Sequence, residues 1–68
     1  MTNAVIEIHV RSGDQYDFIG NEAKKLWKAI NSDSAAPIRA MWGAPPHAEI
    51  IFMKDAIEHY VWYANGRP

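Results

Sequence analysis

One stretch of this chain repeats with a helical period and is flanked on both sides by stretches that alternate. That arrangement points to an α+β fold. Ala23, Leu26, Trp27 and Ile30 fall at i, i+3, i+4 and i+7, on one face of a helix, while Lys24, Lys25 and Lys28 take the opposite face. Asn21 suits the N-cap and Glu22 the positive end of the dipole; Asn31-Ser32-Asp33-Ser34 ends the run. A helix this short draws most of its stability from packing its apolar face on a sheet.

Before the helix, Ala4, Ile6, Ile8 and Val10 alternate with Val5, Glu7, His9 and Arg11, as in a half-buried strand. Ser12-Gly13-Asp14 supplies turn chemistry, and Tyr16 and Phe18 resume the alternation, so the first two strands read as a hairpin. After the helix, Ile38, Ala40 and Trp42 alternate with Arg39 and Met41, and Gly43-Ala44-Pro45-Pro46 interrupts the chain. Ala48 to Met53 is apolar on both faces, which predicts a central strand or one lying against a partner.

Residues 55–64 fit two patterns. Asp55 and Glu58 have capping-box spacing, and Ile57, Tyr60, Val61 and Ala64 have helical period. Phe18 to Ile30 also overlays Phe52 to Ala64 in register, which would make the chain two ββα halves. Against this, His59, Tyr60, Val61, Trp62 and Tyr63 are poor helix formers; together they cost a helix roughly 2–3 kcal/mol, more than a capping box usually returns. The expectation is therefore one α+β domain over residues 1–68, ordered ββαβββ, with one amphipathic helix on an antiparallel sheet; ββαββα is the alternative.

At 68 residues with no Cys, disulfides and Cys-based zinc sites are excluded, and a chain this short buries a modest share of its surface. Net charge is −1, without the basic excess usual for nucleic-acid or membrane-surface binders. No apolar run is long enough to span a membrane, and the N-terminus lacks signal-peptide character, so Met1 reads as a natural start. A bacterial or phage-borne cytoplasmic protein is the expectation.

Catalytic signatures are missing. Ser12, Ser32 and Ser34 sit in turns, four Gly are scattered singly, and no phosphate-binding loop follows a strand. No enzyme activity and no cofactor are expected. With residues 57–64 as a strand, one face would cover the helix, and the other would expose Tyr60 and Trp62 beside Met41, Ile51 and Met53. Tyr, Trp and Met are enriched at protein interfaces, so the leading expectation is a protein-interaction module acting on a partner or as a homodimer. Two alternatives are nucleic-acid binding through Lys24, Lys25 and Lys28, and a divalent-metal site. The metal site would unite Glu7 and His9 with His47 and Glu49 if the first and fourth strands were neighbours.

Overall fold

The computed structural model describes residues 3–43 and 45–67. Met1, read above as the start, and Ala44 of the proline-rich turn lie outside them. The elements are β1 Val5–Val10, β2 Gln15–Ile19, α1 Gly20–Ile30, β3 Ile38–Trp42, β4 Ala48–Phe52, a 3-10 turn Lys54–Ala56 and β5 Ile57–Tyr63. The α+β class and the ββαβββ order are those expected from the sequence. The ring-rich stretch is a strand because β1 offers it a partner, with pairing that runs from Val5↔Tyr63 to His9↔His59.

The sheet arrangement corrects one expectation. The described residues form two antiparallel sheets, β2-β1-β5 and β3-β4. The centre of the larger sheet is β1, while β4 pairs only with β3. The double apolarity of β4 therefore has a different cause from central placement. Phe52 is buried and Ile50 half-buried against the core, whereas Ile51 points outward and is exposed.

Local chemistry sets the junctions. In the β1–β2 turn Gly13 takes φ +99°, and its N–H donates to the Val10 carbonyl at 3.0 Å. The helix begins at Gly20, directly out of β2, with no side-chain cap bond, so Asn21 is not the N-cap. Instead the Gly20 N–H donates to the Ala4 carbonyl at 2.8 Å, pinning the helix start to the chain just before β1. At the other end Asn31 caps as expected. Its backbone N–H and its Nδ2 both donate to the Trp27 carbonyl, and the Ser32 hydroxyl donates to the Ala29 carbonyl.

The helix lies against β1, β2 and β3. Ile6, Ile8, Phe18, Ala23, Leu26, Ile38, Ala40 and Phe52 form the buried cluster between them. Phe18 and Phe52 join the two sheets edge to face, with ring centroids 6.0 Å apart. A bulge between His9 and Val10 shifts the β5 register so that Val10 opposes Ile57. Both side chains then pack on the core, and the alternation that placed Ile57 with His59 is broken there.

Candidate interaction surfaces

Tyr60 and Trp62 do not occupy the face opposite the helix. Ile8 pairs with Tyr60 and Ile6 with Trp62. Directly opposed residues share a sheet face, so both rings lie on the core side, half-buried against the central cluster. Trp62 stacks on Trp27 of α1, centroids 5.0 Å apart and planes within 11°. The Tyr60 hydroxyl donates to Asn31 Oδ1 at 3.2 Å, reaching the helix end. The expected exposure of these two rings is therefore corrected: β5 uses them to hold α1.

Met41, Ile51 and Met53 stand elsewhere. Among the described residues the large exposed apolar side chains are Ile19, Trp27, Met41, Trp42, Ile51 and Met53. Four of these six belong to the β3–β4 hairpin or follow it directly. Trp42 turns inward enough to meet Tyr16 edge to face at 5.6 Å. The outer face of the hairpin carries Met41 opposite Glu49 and Arg39 opposite Ile51, and Met53 continues the row beyond Ile51. Met41, Ile51 and Met53 are each about half exposed, at 52%, 49% and 53%. Neither Arg39 nor Glu49 joins an ion pair among the described residues.

The outer face of the three-stranded sheet is mixed, with Glu7, Asp17, His9 and His59 alongside Val5, Ile19, Val61 and Tyr63. Glu7 and Asp17 are directly opposed, an unfavourable placement for like charges. Arg67 resolves it from the chain end. Its Nη2 lies 2.7 Å from Glu7 Oε2 and 2.8 Å from Asp17 Oδ2, and its guanidinium stands 5.9 Å from the centre of the Tyr63 ring. Partial desolvation would raise the Asp17 carboxyl, but hydrogen bonds from Arg67 and Gln15 outweigh it and hold the group below its ordinary value of 3.8. The same bonds, to Asp17 and Glu7, raise the Arg67 guanidinium. Beside this network the rings of His9 and His59 stack, centroids 4.2 Å apart and planes within 12°.

The four residues considered for a metal are divided. Glu7 and His9 share the outer face of β1, with His9 Nε2 3.6 Å from Glu7 Oε1. Glu49 lies on β4 and His47 just before it, in the other sheet. His47 instead borders a shallow groove with Asp17, Ile19, Glu22 and Met41. The sequence reading missed His59 as the neighbour of His9 and Arg67 as the neighbour of Glu7. Alternation placed His59 on one face of its strand, but nothing in the residues paired that strand with β1.

Lys24, Lys25 and Lys28 are exposed on α1, as the helical period requires. Of the rings that could serve as stacking platforms, Trp62 is stacked on Trp27 and Trp42 meets Tyr16 edge to face, while Trp27 and Trp42 each keep an exposed part. No helix among the described residues is long and apolar enough to cross a membrane. Comparison with protein-family models, curated proteins and solved structures finds no match.

Proposed function

We propose that this protein is a small non-catalytic interaction module that self-associates through the outer face of the β3–β4 hairpin. The observation that carries the reading is the exposure of Met41 and Ile51 on the outer face of a two-stranded sheet, with Met53 directly after it. The inner face of the hairpin is covered by the core, whereas Met41 and Ile51 on its outer face stay about half exposed, so a partner there would bury apolar surface that the single chain leaves to water. The occupant that fits is a second copy. The face carries one cation, Arg39, and one anion, Glu49, around Met41 and Ile51. A patch bearing both signs can oppose itself across a two-fold axis, Arg39 against Glu49. A cytoplasmic setting is part of this reading, and a chain without Cys fits a reducing compartment.

Light scattering across a concentration series tests the reading, at low and high salt. Self-association through an apolar face predicts a mass that rises with concentration and holds or increases with salt. Ile51→Lys should abolish the rise. A species that stays at the chain mass throughout overturns the proposal.

A further inference from the structure

We propose that His9 and His59 form a two-imidazole site for a borderline transition-metal cation, such as Zn2+, Ni2+ or Cu2+, on the outer face of the three-stranded sheet. The two residues are directly opposed in the β1–β5 ladder, and their rings are already adjacent, with centroids 4.2 Å apart.

Each ring has a carboxylate at one of its nitrogens. Glu58 Oε1 lies 3.1 Å from His59 Nδ1, and Glu7 Oε1 lies 3.6 Å from His9 Nε2. The Glu58 contact is of hydrogen-bond length and leaves the other nitrogen of His59 for an ion, while the Glu7 carboxylate stands near His9 beyond hydrogen-bond distance and could close on it once an ion is bound. The nitrogens left are His59 Nε2 and His9 Nδ1. Glu7 can serve His9 while held by Arg67, because Arg67 engages its other oxygen, Oε2.

The side chains are 27% and 53% exposed, so an ion has access, and convergence on it requires the rings to turn out of their parallel stack. Imidazole nitrogen favours Zn2+, Ni2+ and Cu2+ over Mg2+ and Ca2+. Among the described residues no group of three or more His, Cys, Asp or Glu side chains suits a metal ion. Water therefore fills the remaining positions, and the site is an open one. A bound ion would tie the central strand to the C-terminal edge strand, which stabilises the folded state by mass action.

Isothermal titration of the full chain with zinc chloride, paired with thermal melts, tests this. One Zn2+ per chain and a raised melting midpoint are expected. His9→Gln and His59→Gln should each weaken binding by about tenfold or more, whereas His47→Gln should leave it unchanged. Cu2+ electron paramagnetic resonance should show two nitrogen ligands in the parent chain and one in His59→Gln. His59 is exposed on an edge strand, so that variant decides the matter should His9→Gln fail to fold. No binding at millimolar zinc, unaltered binding in His59→Gln, or loss on His47→Gln would overturn the site.

Discussion

The indole of Trp62 lies flat on the indole of Trp27, joining β5 to α1 at a centroid distance of 5.0 Å. A domain this small has few places to store large rings. It spends two of its three Trp residues on one contact between elements distant in the chain.

Truncation at that stack should therefore destabilise the fold rather than remove a docking surface. Trp62→Ala is expected to cost about 2–3 kcal/mol, below the value for a fully buried ring because Trp62 is half-buried. A double-mutant cycle with Trp27→Ala should return a coupling of roughly 0.5–1.5 kcal/mol by denaturant unfolding. A coupling near zero would show that the rings share only a neighbourhood.

Arg67 and Asp17 make a prediction in pH. The folded-state value of Asp17 lies below its ordinary 3.8. Its contribution to stability is thus present above the unfolded-state value and is lost as pH falls through the folded one. Arg67→Gln removes the chief lowering partner and leaves desolvation opposed mainly by the Gln15 hydrogen bond, so the Asp17 midpoint should move upward. Carboxyl carbon chemical shifts across an acid titration read this directly. An unchanged midpoint in Arg67→Gln would mean the guanidinium is not held over Asp17 in solution.

Gly13 and Leu26 separate backbone strain from packing. A Cβ at Gly13 would meet nothing within 4 Å, yet φ is +99°. Gly13→Ala should cost about 1–2 kcal/mol through the backbone alone. Leu26 is 1% exposed in the core cluster. Leu26→Ala should cost about 3–5 kcal/mol by opening a cavity. Chemical denaturation should rank the two in that order, and the reverse order would contradict the packing described.

What could be read from the residues follows from locality. Leu26 and Trp27 mark a helix face by spacing, and Ile6 and Ile8 mark a strand face by alternation, so the order of elements emerges without long-range information. Strand partnership does not. His59 beside His9, and Tyr60 beside Ile8, depend on β5 returning to β1, a choice made by the tertiary fold. The same ignorance sent Tyr60 and Trp62 to the wrong face: alternation groups them together but leaves open which side the helix covers. Ile57 shows a further limit, since a single bulge moves it to the core and breaks the period on which its placement relied. Met41, Ile51 and Met53 read as exposed and are so, but not beside Tyr60 and Trp62, because nothing local in the residues shows that β3 and β4 form a hairpin apart from the three-stranded sheet.

The central claim is that the hairpin face carrying Met41, Ile51 and Met53 is where a second copy binds. Methyl and indole NMR spectra recorded over a range of protein concentrations test it most directly. The account predicts that the Met41, Ile51 and Met53 methyl resonances shift together as concentration rises, while the indole signals of Trp27 and Trp62 stay fixed. Spectra that do not change with concentration, or changes confined to the helix bearing Lys24, Lys25 and Lys28, would contradict it.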